Sequence, residues 1–291
     1  MPGVPGTLYI CATPIGNLED VTLRVLRVLK EVDVIVAEDT RRTRKLLSHY
    51  NIITPLSASL YQGVEKERTE AVLELLRSGK NVALVSDAGT PLISDPGYPL
   101  VRACIEEGIP VVPVPGPSAV LAALVASGLP PQPFLFAGYP PRSPSARRAW
   151  LSELLRLPYT VVFFESPRRL LSTLALLAEL SPERPTVVAR ELTKIHEEFL
   201  RGKASEVHAE LSRRGEVLGE VVVLFGPAEE SEKEPGETNK DEVLSLYQSF
   251  LSQGLSPKEA RKEVAQKLGL PKREVYKILL AARKLEGKEG L

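Results

Sequence analysis

Three stretches of the chain combine glycine and proline, one of them with carboxylates, in a way that suits the binding of a small ligand. They are Ala12-Thr13-Pro14-Ile15-Gly16-Asn17, the longer Ser86–Gly97 (SDAGTPLISDPG), and Val114–Ala119 (VPGPSA). Glycine lets a backbone come close to a ligand, and proline holds a loop rigid. None of the three is a phosphate loop. The chain has no G-x-x-x-x-G-K-[ST] run and no G-x-G-x-x-G run. The long loop carries Asp87 and Asp95 and no lysine or arginine. Such a loop repels polyphosphate but accepts hydrogen bonds from hydroxyls and amines and tolerates a cation. One loop of this kind is an ordinary turn. Three of them point to a shared pocket for a neutral or cationic ligand.

The elements that must hold these loops are short apolar runs alternating with helical patterns. Strands are expected at 7–12, 33–38, 81–86, 110–114, 134–137, 160–165, 186–192 and 219–225, where β-branched and aromatic residues cluster. Helices are expected at 20–31, 65–78, 117–127, 145–156, 168–179 and 203–213. Asp20 is placed as a first-turn cap, Pro117 in a first turn, and Gly79 and Gly128 at helix exits. The alternation predicts an α/β fold with largely parallel sheets. Each Gly/Pro loop directly follows a strand, and open α/β sheets bind ligands at that edge. The proline clusters on either side of 116–130 redirect the chain, so the division is 1–116 for a first α/β domain and 117–227 for a second.

Charge separates the rest. The 291 residues include 37 Lys/Arg and 37 Asp/Glu, but the balance is uneven. The segment 228–240 holds EESEKEPGETNK, acidic and without apolar side chains, and reads as a linker. Residues 241–291 follow as a basic module, with helices expected at 241–253, 256–268 and 271–284. Ser256-Pro257-Lys258-Glu259 has the pattern of a capping box. The module has the outline of a helix-turn-helix whose second helix bears Lys272, Arg273 and Lys277, with a core of Val264, Leu268, Leu270, Val275, Ile278 and Leu279. A basic dimerisation module is the competing reading. Two cysteines and three scattered histidines exclude a disulfide framework and make a metal centre unexpected. No apolar run is long enough to span a membrane and no signal peptide opens the chain, so a cytoplasmic setting is expected.

The loops ATPIGN, SDAGTPLISDPG and PVPGPSA resemble the tetrapyrrole methylase superfamily over about residues 7–227. The segments Phe163–Arg169 (FFESPRR), Ala189–Lys194 (ARELTK) and Ala37–Arg41 (AEDTR) are similar to its branch of ribosomal RNA small subunit methyltransferases I. The first loop departs from the G-x-G-P-G of the porphyrin-acting relatives, which argues against a porphyrin substrate. The resemblance implies two α/β domains with S-adenosylmethionine in the cleft between them, a homodimer, and 2′-O-methylation of a cytidine in the decoding region of 16S rRNA within the small ribosomal subunit.

On that reading Pro14, Asp87, Ala88, Gly89, Thr90, Ser118 and Ala119 line the cofactor, and Gly226 and Pro227 close its adenine side. A ribose hydroxyl needs a proton acceptor near neutral pH. The candidates are Glu165, Lys194 (if burial lowers its pKa) and Asp39, with Glu38 and Glu191 also at strand ends. Glu165 has an equal claim to be an ion-pair partner of Arg168 or Arg169. Arg41, Arg42 and Arg44, in a dense basic turn, and Arg168, Arg169 and Arg190 are the expected RNA contacts, because guanidinium matches phosphate. The reading from another class is a ligand-sensing regulator that binds nucleic acid through its tail.

Overall fold

A computed structural model describes residues 4–57, 65–215, 217–228, 240–268 and 272–286. The chain up to Ala228 forms one unit and the residues after it a second, and each is described by itself.

The first sheet contains β1 (Leu8–Cys11), β2 (Val34–Ala37), β3 (Val82–Val85) and β4 (Val111–Val114), in the order β2-β3-β1-β4 and parallel throughout. Its strands are apolar on both faces because helices cover both. Ile35, Ala37, Ala83 and Val85 pack with Val25, Val28 and Leu29 of α1 (Leu23–Glu31) and with Leu47 of α2 (Thr40–His49). Val36, Val82 and Leu84 face the other way, toward α3 (Glu65–Arg77) and α4 (Tyr98–Glu106). In register, Cys11 stands beside both Val85 and Val114, and Ala37 beside Val85. All four strands therefore end level, and their outgoing loops share one edge.

The second sheet contains β5 (Phe134–Phe136), β6 (Thr160–Glu165), β7 (Pro185–Arg190), β8 (Glu198–Lys203) and β9 (Val221–Phe225), in the order β5-β6-β9-β7-β8. Only β5 and β6 are parallel; the other pairings are antiparallel. The expectation of largely parallel sheets therefore fails here. α5 (Ala119–Ser127) covers one face, and α6 (Pro144–Leu154), α7 (Pro167–Leu180) and α8 (Ala204–Arg214) cover the other.

Three elements differ from the sequence reading. β8 is an edge strand of mixed polarity (EFLRGK), with no apolar run to announce it. α4 follows Pro96-Gly97, in a stretch to which the sequence reading assigned no element. The basic run at 41–45 is a helix, not a turn, because Asp39 accepts the Arg41 amide and caps it. The cap of α1 is Thr22 rather than Asp20.

The second unit holds α9 (Lys240–Ser252), α10 (Pro257–Lys267) and α11 (Lys272–Glu286) around Val243, Val264, Val275, Ile278 and Leu279. The Ser256–Glu259 capping box is present. Leu268 is partly buried against this core, while the linker residues 229–239, Leu270 and the Arg273 side chain lie outside the described residues.

Candidate active site

The three Gly/Pro loops brace one another at the carboxyl edge of the first sheet. Thr13 and Gly89 exchange backbone hydrogen bonds of 2.8 and 2.9 Å, and the Thr13 hydroxyl donates to the Ser86 carbonyl. Thr90 donates to the Pro117 carbonyl at 3.3 Å, joining the second loop to the third. Gly116 passes so close to the first loop that a Cβ there would lie 3.0 Å from the Ala12 Cβ. The second loop holds Leu92 and Ser94 at φ of +73° and +69°. Such non-glycine conformations persist only where surrounding contacts impose them, and they concentrate at functional sites.

These loops form one wall of a cavity of about 420 Å³, and the second sheet supplies the opposite wall. Asp87, Ala88, Gly89, Thr90, Ser118 and Ala119 line it, with Glu38, Arg42 and Asp95 from the same edge. Across from them stand Tyr139, Phe164, Glu165, Leu192 and the segment Gly219–Val222. Five carboxylates thus face one guanidinium.

Asp87 is fixed by two contacts from the start of α2. It accepts the Asp39 amide at 2.9 Å and lies 3.5 Å from the Arg42 guanidinium. Among the described residues, Glu38 accepts one hydrogen bond, from the Asp87 amide at 3.5 Å. Burial, then the charges of Asp95 and Asp87, push the Glu38 carboxyl above its ordinary range. Asp95 is likewise raised, first by burial, with the Ser86 hydroxyl pulling the other way.

The proposed proton acceptors occupy other roles. Glu165, whose side chain is fully buried, accepts from the Ser166 amide at 2.7 Å and the Arg169 guanidinium at 2.8 Å on one oxygen, and from the Thr173 hydroxyl at 2.6 Å on the other. Its carboxylate holds α7 against β6, and the ion-pair reading is the one the contacts favour. Lys194 sits between Glu191 and Glu220, at 2.8 and 3.1 Å. Burial works to lower its pKa, but the two carboxylates outweigh it and the amine lies above its ordinary value, opposite to what a base requires. Asp39 caps α2 and pairs with Arg41, whose hydrogen bonds draw its pKa down to about 2.

Gly226 and Pro227, expected at the cofactor, lie at the end of β9 away from the cavity. In the antiparallel register Glu165 faces Val221 and Val161 faces Phe225, so the cavity meets the start of β9. Gly226 packs instead on Pro185 and Leu129, and its carbonyl, like that of Pro227, accepts from Arg184. Pro14 is not a lining residue, whereas its neighbour Ile15 is. Of the expected RNA contacts, Arg42 lines the cavity, and Arg41, Arg44 and Arg168 are exposed outside it. Arg169 is drawn inward to Glu165, and Arg190 is held by Glu198 and the Leu218 carbonyl. Tyr139 and Gly219–Val222 were missed by the sequence reading. Tyr139 has no periodic signal, and the second group becomes visible only once β9 is known to run antiparallel. Among the described residues no group of three or more potential ligands gathers as a metal site.

Residues 7–208 match the family described as Tetrapyrrole (Corrin/Porphyrin) Methylases, and residues 238–283 match the family described as RsmI C-terminal HTH domain. The ribosomal RNA small subunit methyltransferase I of Halalkalibacterium halodurans is 44% identical over 275 residues, 94% of each chain. That of Bacillus subtilis is 43% identical over 93% of each. That of Thermotoga maritima is 50% identical over 224 residues, which is 77% of this chain and 100% of the relative. Among solved structures, a cobalt precorrin-4 methyltransferase superposes with a TM-score of 0.58 at 20% identity, covering 76% of this chain and 94% of that one. The uroporphyrin-III C-methyltransferase of Thermus thermophilus, solved in complex with S-adenosyl homocysteine, gives 0.55 at 22% identity, covering 76% and 97%.

Proposed function

The chain belongs to the tetrapyrrole methylases and, within them, to the ribosomal RNA small subunit methyltransferase I family, and from that membership we propose that it methylates the ribose 2′-oxygen of a cytidine in the decoding region of 16S rRNA. The reading places S-adenosylmethionine in the cavity between the two sheets. The observation that carries it is the charge of the lining: with Glu165 and Glu220 paired to Arg169 and Lys194, Glu38, Asp87 and Asp95 stand against Arg42. A cavity of that sign favours a sulfonium cation and repels polyphosphate. When bound, the cofactor supplies an electrophilic methyl group.

The chain supplies position, a dry wall and a proton acceptor. Asp87, tied to the start of α2, is fixed for a polar contact to the cofactor, and Gly89, with φ of +80°, turns the loop beside it and is held there by Thr13. Ile15, Val120, Leu192 and Val222 give the cavity apolar walls that exclude water. Such positioning contributes several kcal/mol to a bimolecular transfer. Glu38 accepts the ribose proton. It faces the cavity, it is not consumed by an ion pair in the way Glu165 is, and its raised pKa brings it nearer the working pH.

RNA outside the cavity meets Arg41, Arg44 and Arg168, with the terminal helices adding phosphate contacts through exposed Lys272 and Lys277. The working form is a cytoplasmic homodimer acting on the small subunit. α5 is apolar on all sides, and it leaves Leu121 and Val125 52% and 78% exposed after packing on its own sheet. No helix among the described residues is long and apolar enough to cross a membrane.

The test is transfer of a radiolabelled methyl group to small subunits from cells lacking the enzyme, followed by mapping. A label at one cytidine that blocks alkaline cleavage of the adjoining linkage supports the reading. Label on a base, or on no RNA, overturns it. Light scattering at micromolar concentration tests the dimer.

A further inference from the structure

The loop from Glu191 to Glu197 leaves the end of β7 at the rim of the cavity, where Leu192 forms part of the lining. It is strained. Glu191 and Thr193 adopt φ of +51° and +65°, and a β-branched residue in that region is a genuine outlier. It is also held from several directions. The Glu191 amide donates to the Glu220 carbonyl, and the Lys194 and Glu197 amides donate to carbonyls within the loop. The Thr193 amide donates to the Glu197 carboxylate at 2.6 Å. The Thr193 hydroxyl accepts the Asn17 amide at 3.0 Å, so the first Gly/Pro loop anchors it as well. Lys194 ties its base to Glu191 and Glu220.

All this restraint presents an apolar side chain to solvent, with His196 and Glu197 exposed beside it. Ile195 is 97% exposed. Exposure alone means little, because Ile53 is 98% exposed in the turn beyond the far end of α2. What distinguishes Ile195 is a braced, strained loop beside the reaction cavity. The loop is also a poor phosphate site. Glu191, Glu197 and Glu220 outnumber Lys194, whose charge Glu191 and Glu220 already engage. An apolar tip among carboxylates suits the face of a nucleobase rather than the backbone.

We infer that loop 191–197 is a rigid finger that lays Ile195 against a nucleobase flanking the target nucleotide and so holds the target ribose at the cavity. The inference rests on the rRNA reading above. Ile195 is a positioning residue and takes no part in bond making.

The experiment uses the full chain and small ribosomal subunits as substrate. Wild-type enzyme is the first arm; if it methylates no rRNA, the function proposed above fails, whatever Ile195 does. With that activity in place, Ile195→Ala is expected to lower kcat/KM for subunits about tenfold. Ile195→Leu is expected to restore most of it. Melting temperature and cofactor affinity are expected to stay unchanged in both, since the side chain touches neither core nor cavity. A photo-crosslinking residue at 195 is expected to join a nucleotide adjoining the methylated one. Unchanged kcat/KM in Ile195→Ala, or a crosslink to a second copy of the chain instead of RNA, overturns the inference.

Discussion

Glu38 and Glu165 occupy equivalent places in the two sheets, yet they do opposite work. Each lies where a strand of its sheet ends at the cavity, and each was a candidate for the same chemistry. In the first sheet all strands are parallel, and β2 delivers Glu38 into a row of ligand loops that only lightly engage it. In the second sheet β6 delivers Glu165 to the start of α7, where Arg169, Ser166 and Thr173 use both oxygens. The difference teaches that position at a strand end nominates a residue, and that the neighbours' demand for hydrogen bonds decides its role. On the proposed function the first sheet supplies the reactive group, and the second supplies a braced wall.

Exchanging the two carboxylates' chemistry tests that division most severely. Glu38→Gln is expected to cut the methyl-transfer rate by about 10²–10⁴-fold, the usual value of a positioned proton acceptor, with no loss of melting temperature. The acid limb of the wild-type rate profile should lie above the ordinary carboxylate range, since burial and two neighbouring aspartates raise Glu38. Glu165→Ala should do the reverse in kind. It strands Arg169 and removes two further acceptor contacts, a loss of about 3–5 kcal/mol in stability read by chemical denaturation. If Glu165→Ala keeps its stability and Glu38→Gln keeps its rate, the assignment is inverted.

A finer test asks which end of β9 faces the ligand. Gly219 has φ of +92°, and a Cβ there would lie 2.4 Å from the Glu191 carboxylate. Gly219→Ala must displace Glu191 and with it the rim, so a loss of roughly tenfold in kcat/KM is expected, in line with small misplacements in a positioned site. Gly226→Ala meets nothing nearer than 3.5 Å and should leave the rate within twofold, about the size of ordinary surface effects. Equal losses in both would return the adenine side to Gly226.

This pair of glycines also marks how far the sequence could be read. The loops of the first sheet were legible because a parallel strand always feeds its loop to the same edge, so ATPIGN, SDAGTPLISDPG and PVPGPSA had to converge. The edge of the second sheet was not legible. Nothing in GEVVVLF says which way it runs, and β8, which makes β7 antiparallel to its neighbour, lacks an apolar run. The wrong direction carried Gly226 and Pro227 to the cavity and left Gly219 and Glu220 out. The roles of Glu165 and Lys194 were hidden for another reason. Burial and partner number depend on residues distant in sequence, such as Thr173 and Glu220.

The two units of the chain give a milder contrast. The Thermotoga maritima relative matches over its whole length with 224 residues, close to the length of the first unit here. The terminal helices have their own core, around Val243, Val264 and Val275. Removing 229–291 is therefore expected to leave cofactor affinity and kcat in place and raise KM for small subunits severalfold, more at low salt than at high if phosphate contacts are what is lost. An unchanged KM would assign the helices to something other than substrate binding.

The smallest effect separates two aspartates on the same edge. Asp95 is raised above the ordinary carboxylate value of 3.8 by burial, whereas Asp39 is lowered to about 2 by its bonds to Arg41. A raised carboxyl favours folding while protonated, and that contribution is lost as pH climbs through its folded pKa. A lowered one favours folding while ionised, and its contribution is lost as pH falls below the ordinary value. Asp95→Asn, free of the ionised form, should melt higher than wild type at pH 7.5 by on the order of 1 °C, a gap that narrows as pH falls through the raised folded pKa and the native aspartate protonates. Asp39→Asn keeps a capping side chain but gives up the ion pair, so it should melt slightly lower at pH 7.5 and approach wild type only in strong acid. Scanning calorimetry of both variants across that range reads the two signs directly. A gap for Asp95→Asn that widened toward acid would mean the carboxyl is stabilised as an anion, and the cavity would then hold a compensating cation other than Arg42.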